Sequence, residues 1–112
     1  MVELEESGGE IAVLTRPSST VVHLSGEVDA QLRADAGRAL ALISGQLRPV
    51  VLDTKEVTFI DSAGLAFLLQ CADVGRQEGF PVRLPDPPDV VAQPLELLGA
   101  SAMFDGTATV ER

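Results

Sequence analysis

Val57-Thr-Phe-Ile-Asp-Ser-Ala-Gly-Leu65 is the stretch on which the reading of this chain turns. The small residues at 62–64 open a helix in which Leu65, Phe67, Leu68, Leu69, Cys71 and Ala72 surround most of the first turns. Apolar residues on every side predict a well-buried helix, running to about Gln77 and ended by Gly79. Upstream, Pro49-Val-Val-Leu-Asp53 reads as a short apolar strand of the kind covered on both faces in a parallel sheet. Residues 54–60 read as the link between that strand and the helix.

Working outward towards the N-terminus, residues 10–16 and 20–28 read as strands joined by Pro17-Ser18-Ser19, a connection short enough for an antiparallel hairpin. In the second strand, Val22 and Leu24 alternate with His23, Ser25 and Glu27, so one face is apolar and the other open. From Asp29 the period changes. Leu32, Ala36, Leu40, Ile43 and Leu47 recur at spacings of three or four, one face of a helix, with Asp29 as its N-cap and Gly45 as its stop.

Beyond Gly79, residues 80–84 are a strand candidate, and Pro85, Pro87 and Pro88 make a rigid turn before a helix over about 89–98. Pro94 removes an amide donor inside that helix, so a kink or restart is expected there. Asp105-Gly106 is a turn signal, followed by a short final strand at 107–110. The order predicts an α/β fold: a mixed, largely parallel β-sheet with helices packed mainly on one face. Leu32, Leu40, Leu52, Leu65, Leu68 and Leu69 are expected in the core.

The 112 residues fit one domain, 1–112, with 46% hydrophobic residues to build it. Seventeen acids against eight bases give a net charge of −9, which repels a phosphate backbone, and four Phe with no Trp or Tyr leave few stacking platforms. Nucleic acid is therefore a poor partner. A single cysteine, Cys71, excludes an internal disulfide and a cysteine metal cluster and fits a reducing compartment. The acidic start lacks a signal peptide's basic and apolar regions, and no apolar run approaches a membrane span. A cytoplasmic protein without membrane insertion is expected.

No P-loop, dinucleotide fingerprint, nucleophile elbow or HExxH motif is present. His23, the sole histidine, reads as a surface residue, and Cys71 as packing. Asp29, Asp53 and Asp61 each stand near a strand end; together on one rim they are a candidate Mg²⁺ or phosphoacceptor site, and singly they are caps and turns. Ser62 sits where free helix amides favour negative charge, so a phosphate there is tolerated; as plain structure it is an N-cap.

Three stretches in register resemble the STAS domain, a fold named for sulphate transporters and anti-sigma factor antagonists: Val21-Val-His-Leu-Ser-Gly-Glu-Val-Asp29, Val50-Val-Leu-Asp53 and the 57–65 stretch. The likeness extends over residues 10–104. In free-standing members, the first serine of the Asp-Ser-x-Gly-Leu segment is phosphorylated by an anti-sigma factor that is also a serine kinase. The resemblance implies that Ser62 is that switch and that the unphosphorylated chain binds the anti-sigma factor and releases a sigma factor. It implies partner contacts at Asp29, Asp61, Ser62, Ala63, Gly64 and Leu65. It implies no enzymatic activity and no cofactor in this chain, since ATP and Mg²⁺ belong to the kinase. A second implied role is a non-switching STAS subunit of a lipid-transport complex or stress-signalling scaffold. Ala63 stands where a second serine is common, and Val91-Ala-Gln-Pro94 departs from the family's continuous last helix.

Overall fold

The computed structural model describes residues 8–104. Strands β1 (Gly9–Thr15) and β2 (Thr20–Val28) form the antiparallel hairpin, with Val13 opposite Val22 and Ile11 opposite Leu24. A single 3-10 turn (Ala30–Leu32) leads into α1 (Arg33–Ile43). Then follow β3 (Val50–Ile60), α2 (Ser62–Glu78), β4 (Val82–Arg83) and α3 (Asp89–Leu97), with a last 3-10 turn at Ser101–Met103. The sheet order is β1-β2-β3-β4, and the β2–β3 and β3–β4 pairs are parallel. This is the mixed, largely parallel sheet expected from the order of elements. The turn and strand expected over 105–110 lie outside the described residues.

One hydrophobic cluster explains why the helices share a face. Val22, Leu24 and Val28 of β2 and Val50, Leu52, Val57 and Ile60 of β3 are buried against Ala39 and Ile43 of α1, Phe67, Leu68, Cys71 and Ala72 of α2, and Val91 and Leu95 of α3. The intervening strand residues, His23 and Ser25 of β2 and Val51 and Asp53 of β3, are only half-buried. Alternation along each strand thus sends one set of side chains into the core and the other to an uncovered face.

Four expectations change. β3 does not end at Asp53: it continues to Ile60, and its pairing with β2 shifts register twice, between His23 and Ser25 and between Gly26 and Glu27. The shifts break the alternation, so the buried positions become Thr54, Val57 and Ile60, three apart. Leu47 lies beyond α1, 67% exposed with a φ of 56°, because the helix has already closed at Ile43. Pro94 does not restart the last helix, which continues through it to Leu97. Of the six expected core leucines, Leu52 and Leu68 are fully buried, while Leu32, Leu40, Leu65 and Leu69 are half-buried against the core's edge.

Candidate functional site

β2 and β3 end side by side, Val28 beside Ile60, and each strand is followed by an aspartate. Asp29 is extended, and its Oδ1 accepts from the Gln31 amide at 3.0 Å, capping the 3-10 turn. Asp61 is likewise extended, and its Oδ1 accepts from the Gly64 amide at 3.0 Å, capping α2. The Asp61 amide in turn donates to the Val28 carbonyl at 3.2 Å, tying the two strand ends together. Each cap engages one carboxylate oxygen, so the rim keeps two aspartates at the carboxyl ends of a parallel pair.

The N-cap of α2 is therefore Asp61, and Ser62 is the first helical residue, which corrects the reading of Ser62 as a cap. Two adjacent residues of cap-forming type compete at this start, and the one whose backbone is still extended wins the role. Ser62 is exposed, and its hydroxyl makes no hydrogen bond among the described residues. The first helical bond runs from the Leu65 amide to the Asp61 carbonyl at 2.9 Å, so the Ser62 and Ala63 amides precede the ladder and face outward with the positive end of the helix dipole.

Gly64 is buried for a reason the geometry makes explicit. A Cβ there would stand 2.5 Å from the Val28 carbonyl oxygen and 2.6 Å from Ile60 Cγ1. Only glycine lets α2 start this close to the ends of β2 and β3. Ala63 and Leu65 on either side are half-buried. Asp29, Asp61, Ser62, Ala63, Gly64 and Leu65 are thus brought onto one rim.

Asp53 is not part of that rim. It lies inside β3, about 25 Å of strand before Asp61 at roughly 3.3 Å per residue, on the uncovered face of the sheet. There Asp53 Oδ2 is 3.2 Å from His23 Nδ1, and Glu56 Oε1 is 3.7 Å from His23 Nε2. Partial burial pushes the Asp53 carboxyl up, but the Lys55 amide, the His23 ring and the Lys55 charge outweigh it, and the net displacement is downward. The three-aspartate site is therefore not assembled. No group of three metal-ligating side chains is found among the described residues. His23 faces carboxylates rather than a hydroxyl. Cys71 is fully buried, and burial pushes its thiol up to about 12, so it stays protonated as a packing residue.

Two depressions flank the start of α2. A cleft of about 390 Å³ between α1 and α2 is lined by Asp29, Leu32, Arg33, Ala63, Phe67 and Gln70. A groove of about 330 Å³ between α2 and α3 is lined by Ser62, Leu65 and Leu69 on one side and Pro94, Leu97 and Leu98 on the other. No motif in the sequence marks the groove. The available signal was Leu97-Leu98, since consecutive helical residues point about 100° apart and do not both face one core.

A family model described as "Mlab, STAS domain" matches residues 11–105. No curated protein matches the chain in sequence. Among solved structures, an anti-sigma factor antagonist from Mycobacterium paratuberculosis is 23% identical, with 92% of this chain and 93% of that chain covered at a TM-score of 0.71. The anti-sigma factor antagonist SpoIIAA in its unphosphorylated form is 18% identical, with 92% and 95% covered at a TM-score of 0.66. The Bacillus cell fate determinant SpoIIAA in its phosphorylated form is 17% identical, with 92% and 98% covered at 0.64. At these identities the likeness establishes the fold. No helix among the described residues is long and apolar enough to cross a membrane.

Proposed function

The chain belongs to the STAS domain family, and within it we propose an anti-sigma factor antagonist that binds an anti-sigma factor kinase in the cytoplasm through the Ser62 rim and is released by phosphorylation. The observation that carries this is the state of Ser62: exposed, first in α2, and not needed as a cap because Asp61 already supplies it. A hydroxyl free of structural duty can be modified without unfolding the helix. The kinase transfers the terminal phosphoryl of its own ATP to Ser62 Oγ, and the hydroxyl proton leaves to a base of the kinase. Asp29, Asp61, Ala63, Gly64 and Leu65 form the contact surface around it, and the chain contributes no catalysis.

The phosphate brings about −1.5 to −2 charges. In the free protein it is hydrated and meets the helix dipole, worth roughly 0.3–1 kcal/mol. In the complex it enters a surface fitted to a neutral hydroxyl, and an unpaired buried charge costs several kcal/mol, with each ~1.4 kcal/mol tenfold in affinity. Recovery of the partner from native cytoplasm, identified by mass, followed by calorimetry on the parent, Ser62→Ala, Ser62→Asp and the phosphorylated form, tests this. The parent and Ser62→Ala should bind alike, the other two orders of magnitude more weakly while still folded; equal affinities across the four would remove the switch. The purified chain alone should neither hydrolyse ATP nor phosphorylate itself, and any label it receives from the partner should be acid-stable.

A second reading is a non-switching STAS subunit of a larger assembly such as a lipid-transport complex or stress-signalling scaffold. There, Ser62 would be recovered from cells without phosphate.

A further inference from the structure

β1 is an edge strand, and nothing in its sequence blunts the edge. Its seven residues, Gly9–Thr15, include no proline and no lysine, and their pairing with β2 runs without a bulge. The ladder decides which backbone groups of β1 are spare. The Arg16 amide donates to the Ser19 carbonyl at 2.8 Å and the Glu27 amide to the Gly8 carbonyl at 3.4 Å, so the even-numbered residues of β1 are the ones bonded to β2. Ile11, Val13 and Thr15 therefore turn their N–H and C=O groups outward, and no described residue pairs with them.

Apolar side chains gather along the same edge. Ile11 and Val13 are half-buried beside the core, and Leu14, on the uncovered face of the sheet, is 48% exposed. A cleft of about 340 Å³ lies between Ile11 and Val13 and the Asp35, Arg38 and Leu42 side of α1, where Leu42 is 51% exposed. Charge balances at this edge although the chain carries −9. Asp35 and Arg38 form an ion pair, and on the strand Glu10 is matched in number by Arg16. Glu10 and Arg16 are both exposed, and neither makes an ion pair among the described residues.

We propose that β1 pairs with β1 of a second copy of the chain, antiparallel about a two-fold axis at Val13, so that two sheets become one. Strand spacing and charge select this occupant. About that axis Val13 meets its counterpart, Ile11 meets Thr15, Ala12 meets Leu14 and Glu10 meets Arg16. The outward N–H and C=O groups of Ile11, Val13 and Thr15 all find partners, a small residue lies opposite a large one, and each end of the joint carries a pair of opposite charges. A slip by one residue sets outward groups against groups already bonded to β2. An axis at Ala12 sets Glu10 against Leu14, and one at Ile11 sets it against Ala12, so the Val13 register is the one that pairs both charges. The pairing also joins the two clefts, where Ile11, Val13 and Leu42 of both copies are withdrawn from water. The Ser62 rim is built at the ends of β2 and β3 and the start of α2, so each copy keeps its own.

Sedimentation of the full chain across a concentration series up to the millimolar range tests this, with amide hydrogen exchange on the same samples. The mass should rise from that of one chain towards that of two. As it does, exchange at Ile11, Val13 and Thr15 should slow by about tenfold or more, while Ala12 and Leu14, bonded to β2, stay protected throughout. Glu10→Arg and Arg16→Glu each set like charges opposite one another at both ends of the joint. Both change exposed side chains, so each should melt like the parent and dimerise about tenfold more weakly or worse. The double variant Glu10→Arg, Arg16→Glu restores opposite pairs and should dimerise within about threefold of the parent. A chain that stays monomeric throughout, a dimer in which those three amides exchange as fast as in the monomer, or single variants that dimerise like the parent would overturn the proposal. A double variant as weak as the single ones would overturn it too, because Glu10 and Arg16 would not then face each other.

Discussion

The two walls of the Ser62 groove are helices secured in opposite ways. α2 has both ends fastened: the Asp61 side chain caps its start, and Gly79, at a φ of 88°, closes its end with the Gly79 and Phe80 amides both donating to the Gly75 carbonyl. Arg76 lies in its last turn, where the helix dipole favours a cation. Gly64, Phe67, Leu68, Cys71, Ala72 and Gly75 are buried along it. α3 starts at Pro88 with no side-chain cap, contains Pro94, has no cation in its last turn, and buries only Val91 and Leu95. The helix that carries Ser62 is thus held by core and caps, and the helix that carries the exposed leucines is held by two anchors.

The largest test of this contrast is a pair of leucines. Leu68 is 0% exposed in α2 and Leu97 is 87% exposed in α3. Leu68→Ala should lower stability by about 2–5 kcal/mol, and Leu97→Ala should stay within about 0.5 kcal/mol of the parent. Urea unfolding measures both. Comparable losses would mean that α3's leucines are as much part of the core as α2's.

Next in size is Gly64→Ala. The added methyl meets backbone and a buried isoleucine rather than the far end of a flexible side chain, so the start of α2 must move off the strand ends at a cost of roughly 1–3 kcal/mol. Because that movement displaces Ser62, partner binding should fall along with stability. A variant destabilised yet binding normally would show that the rim tolerates a shift of its helix.

Pro94→Ala acts the other way. In a helix interior proline is about 3 kcal/mol worse than alanine, and its stiffening of the unfolded chain returns about 0.4–1 kcal/mol. After some loss of packing in the groove, a net gain of roughly 1–2 kcal/mol is expected. Urea unfolding measures it; a destabilised variant would mean that Pro94 is a packing residue first.

What the sequence made legible follows the same divide. β2 was readable to its ends because Pro17-Ser18-Ser19 and Asp29 bracket a clean alternation. α2 was readable because its start and its terminating Gly79 are both local signals. The far half of β3 was hidden, since Lys55 and Glu56 look like loop residues unless the two register shifts against β2 are known, and those belong to the pairing rather than to either strand. Leu47 continued α1's spacing, but spacing carries no information about where hydrogen bonds stop. The rim's composition was readable, though which of Asp61 and Ser62 caps the helix depended on one residue's backbone angles. The groove was the least legible part, because Leu97 and Leu98 look like core residues until the fold shows that Val91 and Leu95 already fill that role.

The smallest expected effect concerns the far end of α2 and its dependence on pH. Glu78 reaches back to the end of α1, accepting from the Ser44 hydroxyl at 2.5 Å and the Gly45 amide at 2.8 Å. The Ser44 hydroxyl first, and the Gly45 amide second, hold its carboxyl below the ordinary value of 4.5. A carboxyl with a depressed folded-state pKa adds stability that is complete above its unfolded value and is lost as pH falls through the folded one, because the unfolded chain then binds more protons. The window therefore lies below about pH 4.5, and Asp53, also displaced downward, contributes in the same direction. α3 has no such clamp among the described residues. Urea midpoints measured from pH 7 down to pH 3 should fall less steeply in Glu78→Gln than in the parent, with the difference confined to the acid side. Parallel curves would mean that the contact costs as much to order as it returns, and that α2's security comes from its start and its buried face alone.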